Sequence, residues 1–154
     1  MSDTGMKLSE TAGLSKADVC LDEEVPYLDI KPHPWRRLKT TGSQRKIPLV
    51  GLSLWAAKQA YAASISPILF PRYCDETECY SNSASAALNK WLKQVAGPGY
   101  FIHSFRHFMR DRLRAVNCPS DMIGQIGLWS SGKIGEGYGE GYTNAKRHYF
   151  LNLI

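Results

Sequence analysis

Long apolar runs are missing from this sequence, and so is a leader-like N-terminus. No stretch of about 18 apolar residues occurs, which excludes a membrane-spanning helix on sequence grounds. The first residues are polar and partly acidic, unlike a secretory signal. The sequence therefore predicts a cytoplasmic protein.

Cysteine is sparse and does not follow a metal-binding pattern. Cys74 and Cys79 delimit the segment "CDETEC", but no second Cys/His pair at ligand spacing accompanies them. The other two cysteines, Cys20 and Cys118, lie far away in the chain. These spacings exclude the standard zinc and disulfide frameworks, so we expect reduced thiols and no metal site.

Acidic residues are absent from residues 31–60, which contain seven lysines and arginines. Residues 1–30 show the opposite balance, with seven acidic and two basic residues, and the whole chain carries a net charge of +5. A basic block of this kind suits a polyanionic partner, of which nucleic acid is the commonest. The charge pattern alone also fits basic domains that bind no particular partner.

The composition predicts one domain spanning residues 1–154, because 44% hydrophobic content in 154 residues is enough for a buried core. In its first half, we expect a helix from Met6 to about Gly13 and a capped turn at Ser15. Three short runs of β-forming residues, "VPYLDIKPHP", "WRRLKTT" and "QRKIPLV", then predict a small antiparallel sheet that carries the basic block.

The second half of the sequence predicts mainly helices. "LSLWAAKQAYAASI" has an alanine-rich apolar face, and "ASAALNKWLKQV" follows Ser83 as its expected cap. "PSDMIGQIGLW" and "TNAKRHYFLNLI" predict two further helices, the latter capped by Thr143. The predicted fold class is mainly α with a small antiparallel β-sheet (α+β).

The segment "HSFRH" opens the most regular amphipathic pattern of the chain. Apolar residues recur at helical spacing up to an expected helix end near Asn117; they are Phe105, Phe108, Met109, Leu113 and Val116. His103 and Arg106 lie three positions apart and are expected on a different face. A histidine and an arginine at a helix start suit a phosphate; the alternative is an ordinary solvated helix surface.

The pattern H-x-x-R, followed by "GLW" and a tyrosine in a glycine-rich segment, resembles the tyrosine recombinases, or phage integrases. Three other segments support the resemblance in family order. "TGMKLSE" looks like the first family box, TGxRxxE, and "LKTTGSQRKIPL" looks like the hairpin that carries the family's lysine. "IGLWSSGKIGEGY" looks like the segment that ends in the nucleophile. The resemblance extends from Asp3 to about Tyr142.

The resemblance assigns roles to individual residues. Tyr138, nine residues after Trp129, is expected to be the nucleophile, with Tyr142 and Tyr149 as the alternatives. Arg106 and His103 correspond to the H-x-x-R pair, and Trp129 lies where most family members have His. The remaining correspondences are Lys39 for the hairpin lysine, Lys7 for the first-box arginine and Glu10 for its acidic neighbour. Trp129 also fits a purely structural core position.

These residue types suit DNA cleavage by a phenol. The resemblance implies attack by Tyr138 on a phosphodiester, giving a 3′-phosphotyrosine, while cations stabilise the charge on the phosphorus oxygens. His103 is the candidate base, and Lys39 is the candidate acid that protonates the leaving 5′-oxygen. No metal or nucleotide cofactor is needed. The implied activity is site-specific DNA recombination or integration.

The implied partner is a double-stranded DNA attachment site in a bacterial host, as expected for a prophage or mobile element. We expect a tetramer on DNA for the complete protein and a monomer for this chain alone, because the family's core-binding domain and the first helices of the catalytic domain are missing. The expected contacts to the DNA backbone are made by cations; they are Arg36, Arg37, Arg45, Lys46 and Arg110. Lys39 also fits this group.

Lys7 departs from the family pattern, which has arginine at this position. A lysine keeps the charge but loses the planar fork that binds phosphate through two hydrogen bonds. The sequence therefore leaves two further hypotheses open besides an active recombinase. One is a DNA-binding remnant without turnover, and the other is a protein-interaction module. A type IB topoisomerase shares the chemistry but fits the short chain less well.

Overall fold

A computed structural model of the chain describes residues 1–38, 43–129 and 141–154. These ranges form a mixed α+β fold, which confirms the predicted combination of helices with a small antiparallel sheet. The helices are α1 (Leu8–Ala12), α2 (Gly51–Ala63), α3 (Ser81–Ala96), α4 (Ser104–Ala115), α5 (Ser120–Gly127) and α6 (Asn144–Leu151), and the strands are β1 (Val19–Cys20), β2 (Tyr27–Ile30) and β3 (Arg45–Pro48). None of the described helices is long and apolar enough to cross a membrane.

The sheet has the order β1-β2-β3 with antiparallel neighbours throughout. Leu28 of β2 lies opposite Val19 of β1 and Ile47 of β3. Because side chains alternate across a strand, Leu28 and Ile30 enter the core while Tyr27 and Asp29 remain partly exposed. The sheet therefore supplies one wall of a first apolar cluster, which also includes Met6, Leu14, Leu49 and Leu69.

The prediction of a strand at "WRRLKTT" is wrong for its described part, Trp35 to Leu38. His33 and Arg36 exchange backbone hydrogen bonds of 3.0 and 3.1 Å across a tight turn instead. Two prolines at 32 and 34 favour this turn, because proline cannot donate to a sheet ladder. The sheet still has three strands, because Val19–Cys20 forms β1, a strand that the sequence pattern did not predict. It follows a 3₁₀ helix at Lys16–Asp18 that is capped, as expected, by the Ser15 hydroxyl.

Several helix boundaries differ from the predicted ones. α1 begins at Leu8, because the residue before it, Lys7, has extended backbone and Met6 is buried in the core. α3 begins at Ser81, so Ser83 lies inside the helix and not at its cap. Thr143 caps α6 as predicted, since its hydroxyl accepts the Lys146 N–H at 3.2 Å.

α4, α5 and α6 surround a second apolar cluster. It contains Met109 and Leu113 from α4, Met122 and Ile126 from α5, and Leu151 from α6. The buried face of α4 is rotated relative to the predicted apolar stripe, because Phe108 is 61% exposed while Arg106 is only 5% exposed. The expectation that Arg106 lies away from the core face is therefore wrong. This rotation decides the geometry of the candidate site.

Candidate functional site

Arg106 is the centre of the candidate site and lies between two distant parts of the backbone. Its Nη1 donates to the carbonyl of Gly5, and its Nη2 donates to the carbonyl of Gly127. These two contacts use two of the five N–H groups of the guanidinium. Burial lowers the pKa of Arg106, and the charge of Arg45 lowers it further, while the charge of Glu10 opposes both. Arg106 nevertheless remains a cation at neutral pH, because a guanidinium does not lose its proton in proteins.

Trp129 covers the Arg106 guanidinium. The Arg106 Cζ atom lies 4.7 Å from the centre of the indole ring, and the Arg110 Cζ atom lies 5.9 Å from it. Both distances are within the range of a cation–π interaction. Trp129 also packs against the second apolar cluster, so both roles considered for it from the sequence, site residue and core residue, are compatible with its position.

Two glycines make room for this arrangement. A Cβ atom on Gly127 would lie 2.1 Å from two carbons of the Trp129 ring, which is an impossible contact. A Cβ on Gly5 would lie 3.0 Å from the Met109 sulfur, and the φ of +59° at Gly5 is itself a glycine conformation. Neither glycine was predicted as a site residue, although Gly5 lies in "TGMKLSE" and Gly127 in "GLW". A glycine inside such a motif is itself a sign that the backbone needs a positive φ or a close contact there.

We expect Gly127→Ala to lower the free energy of unfolding by about 1–3 kcal/mol, because the indole must leave its place over Arg106. The measurement is urea unfolding, with near-ultraviolet circular dichroism as a report on the aromatic environment. The matched control is Gly127→Ala in a Trp129→Ala background. There the clash is absent, and alanine should be neutral or stabilising in a helix. An equal cost in both backgrounds would contradict the proposed contact.

The segments "TGMKLSE" and "QRKIPLV" meet at a buried ion pair between Glu10 and Arg45. Arg45 Nη2 donates to Glu10 Oε2 at 3.0 Å, and Arg45 Nη1 donates to Glu10 Oε1 at 3.2 Å. The two side chains are only 6% and 5% exposed. Arg45 Nε also donates to the Ile126 carbonyl at 3.2 Å, which joins β3 to α5. Arg45 is therefore an internal residue of the site, and the DNA contact expected for it from the sequence stays a prediction.

Glu10 also positions Lys7. The Lys7 backbone N–H donates to Glu10 Oε2 at 2.9 Å, just before α1 begins. Burial by itself raises the pKa of Glu10, but the hydrogen bonds and charge of Arg45, together with Lys7, bring that pKa below its ordinary value. Glu10 is thus an anion among the cations Lys7, Arg45 and Arg106. The structure brings these residues together from three segments of the chain.

His103 lies at the exposed start of α4, directly before Ser104. Its ring contacts the His107 ring edge-on, with 4.7 Å between the ring centres. Partial burial lowers the pKa of His103, and the charges of His107 and Arg106 lower it further. Its ordinary value is 6.5, so the imidazole is mostly neutral at pH 7 and is able to accept a proton.

Arg36 does not lie on a DNA-facing surface, which corrects the sequence prediction. The residue is 3% exposed, and its Nη2 donates to Asp18 Oδ2 at 3.0 Å and to the Lys31 carbonyl at 2.7 Å. Its Nη1 donates to the carbonyls of Glu10 and Gly13 at 3.2 and 3.0 Å. These bonds hold the turn at 33–36 against the end of α1, so the role of Arg36 is structural.

The other predicted backbone contacts are more accessible. Arg37 and Lys46 are exposed, and Lys46 Nζ lies 4.6 Å from the centre of the Tyr27 ring. Arg110 is half-buried beside Trp129. Lys39 and Tyr138 lie outside the described residues.

The two alternative nucleophiles differ in their surroundings. Tyr142 donates its hydroxyl to both carboxylate oxygens of Asp121, at 3.0 and 2.9 Å. This hydrogen bond raises the pKa of Tyr142, which makes the phenol a poorer nucleophile. Tyr149 is exposed on α6 and packs against Phe150.

Comparison with known proteins yields no relative: no protein-family profile matches the chain, and no curated protein sequence or solved structure matches it significantly.

Proposed function

We propose that this chain is the catalytic domain of a tyrosine-type site-specific recombinase, which cleaves and rejoins DNA through Tyr138. One observation supports it above the others. The segments singled out by the family resemblance, more than 100 residues apart, converge on Arg106: its guanidinium contacts Gly5 of the first box and Gly127 and Trp129 of the "GLW" segment. Arg106 itself belongs to the H-x-x-R pair.

The chemistry of this cluster fits a phosphodiester. Arg106 retains N–H groups beyond the two that its carbonyl partners occupy, and Lys7 adds a second cation from the adjacent segment. Cations held in place before the reaction stabilise the charge that develops on the phosphorus oxygens. Trp129 contributes its indole N–H and the face that orients Arg106.

The proposal assigns proton transfer to His103 and Lys39, as the family resemblance implies. A phenol has an ordinary pKa of about 10, so Tyr138 needs a base or strong electrostatic assistance. His103 is largely neutral at pH 7 and exposed at the start of α4, which suits this role. Lys39 is proposed to protonate the leaving 5′-oxygen.

A covalent-trapping experiment tests the nucleophile. DNA from the regions that flank the gene is nicked to prevent religation, incubated with the protein, and separated on a denaturing gel. We expect a protein–DNA adduct that Tyr138→Phe abolishes, because only the phenol oxygen can form the phosphotyrosine. Tyr142→Phe is the matched control, since it removes one hydroxyl four residues away and should leave the adduct intact.

An adduct that survives Tyr138→Phe would contradict the assignment of the nucleophile. The second candidate function is a DNA-binding remnant without turnover, and Lys7 in place of arginine favours it. This candidate predicts no adduct. It also predicts DNA binding for which the logarithm of the association constant falls linearly with the logarithm of the salt concentration. Absence of both the adduct and salt-sensitive binding would contradict both proposals.

A further inference from the structure

The loop between α2 and α3 brings two cysteines directly opposite each other. Cys74 and Cys79 form an antiparallel bridge. The hydrogen bonds beside it run from the Tyr80 N–H to the Tyr73 carbonyl, at 2.8 Å, and from the Asp75 N–H to the Glu78 carbonyl, at 3.0 Å. The two cysteines therefore do not bond each other through their backbones, and they form the non-hydrogen-bonded type of cross-strand pair.

This pair type matches the geometry of a disulfide. In a non-hydrogen-bonded antiparallel pair the Cα atoms are about 4.5 Å apart and the side chains approach more closely than in the other type. Disulfides join residues whose Cα atoms are about 4.4–6.8 Å apart. A bond between Cys74 and Cys79 therefore requires little movement of the backbone.

The turn between the cysteines is held by one carboxylate. Asp75 Oδ1 accepts the N–H groups of Thr77 and Glu78 at 2.8 and 2.9 Å, and Asp75 Oδ2 accepts the Tyr80 hydroxyl at 2.8 Å. The Thr77 hydroxyl also donates to Asp75 Oδ1, at 2.7 Å, and together these bonds lower the pKa of Asp75, so the carboxylate remains charged over the physiological pH range. The two thiols are thus kept opposite each other before any reaction.

We propose that Cys74 and Cys79 are an oxidative modification site, at which the two thiols close to an intramolecular disulfide. The oxidant is a small-molecule disulfide such as oxidised glutathione. The Cys79 thiol, which is half-buried, loses its proton and attacks, forming a mixed disulfide and releasing one glutathione thiol. The buried Cys74 thiol then loses its proton and displaces the second glutathione. Two cysteines are oxidised, and one glutathione disulfide is reduced to two thiols.

The other two cysteines lack such a partner. Cys20 lies opposite Tyr27 in the ladder between β1 and β2. Cys118 belongs to the second apolar cluster, where its neighbours are apolar side chains. They therefore serve as internal controls within the same chain.

Formation of the disulfide also affects α1. In the reduced protein the Cys79 thiol donates to the Ser9 carbonyl of α1, with 3.8 Å between sulfur and oxygen. The disulfide has no S–H group and cannot make this bond. The modification site thus adjoins the helix that carries Glu10.

The test is oxidation of the folded chain with oxidised glutathione, followed by unfolding, alkylation with iodoacetamide, trypsin digestion and mass spectrometry. Cys74 and Cys79 share one tryptic peptide, residues 73–90, because the nearest basic residues are Arg72 and Lys90. We expect this peptide to lose two hydrogens and take up no alkyl group, while the peptides of Cys20 and Cys118 remain alkylated. Reduction before alkylation should restore two alkyl groups.

Two variants separate the pair from general thiol reactivity. In Cys79→Ser, Cys74 is expected to stay available for alkylation after unfolding, because it has lost its partner. In Cys20→Ser, the bridge should form as in the unmodified protein. Three results would overturn the proposal: two alkyl groups on the 73–90 peptide after oxidation, glutathione retained on it, or disulfide-linked dimers through these cysteines.

Discussion

Glu10→Gln is expected to lower the free energy of unfolding by about 3–5 kcal/mol. The substitution keeps the size of the side chain but removes the charge that neutralises Arg45, whose side chain is only 6% exposed. Arg45 would then be an unpaired buried cation close to a second one, Arg106, whose pKa its charge already lowers. Breaking a buried pair costs more than the pair contributes net, because the remaining charge is desolvated without compensation.

Urea unfolding measures this effect, and Asp111→Asn is the matched control. Asp111 pairs with Arg114 on the surface of α4, where the two side chains are 69% and 57% exposed. An exposed pair contributes about 0–1 kcal/mol because water screens it. Equal shifts for Glu10→Gln and Asp111→Asn would contradict the buried ion pair. A double change, Glu10→Gln with Arg45→Met, should cost less than the sum of the single changes.

The same pair predicts how stability depends on pH. The pKa of Glu10 in the folded protein lies below its ordinary value of 4.5. Its contribution to stability is therefore present above about pH 4.5 and is lost as the pH falls through the lower folded-state value. Between these two values the unmodified protein should lose stability faster than Glu10→Gln, which has no carboxylate to protonate.

Lys7→Arg is expected to raise the rate of DNA–protein adduct formation by about a hundredfold to a thousandfold, if the proposed function holds. An ammonium group stabilises the phosphate as a point charge, whereas a guanidinium can donate two parallel hydrogen bonds to it. The Lys7 backbone is already held by Glu10, so the new side chain starts from a defined position. The measurement is the single-turnover rate on nicked DNA.

Lys46→Arg is the control for this experiment. It makes the same chemical change at an exposed cation beside Tyr27, outside the cluster around Arg106, and should leave the rate unchanged. DNA affinity and its salt dependence should change little in both variants, because the net charge is preserved. If Lys7→Arg binds DNA but forms no more adduct than the unmodified protein, lysine at this position is not what limits cleavage.

Arg106 contacts Gly5 and Gly127, which lie in segments that the family resemblance singled out, whereas the side chains of Arg36 and Arg45 are buried and not at the surface. Sequence patterns identified the α+β fold class, the capped turn at Ser15 and the start of α6 at Thr143, because these depend on local chemistry between neighbouring residues. They did not identify β1, since two residues carry too little pattern to predict a strand. Lys39 and Tyr138 stay predictions from the resemblance.

The sequence by itself determined the charge distribution, the order of the motifs and the residue types of the candidate site. Tertiary structure alone decided which cations are paired in the interior. Arg36 and Arg45 belong to the basic block, yet Asp18 and Glu10 from the acidic N-terminal segment neutralise them in the interior. Arg106 is buried because the carbonyls of Gly5 and Gly127 satisfy it. The physical reason is that a charge enters the interior only with partners, and these partners are distant in sequence.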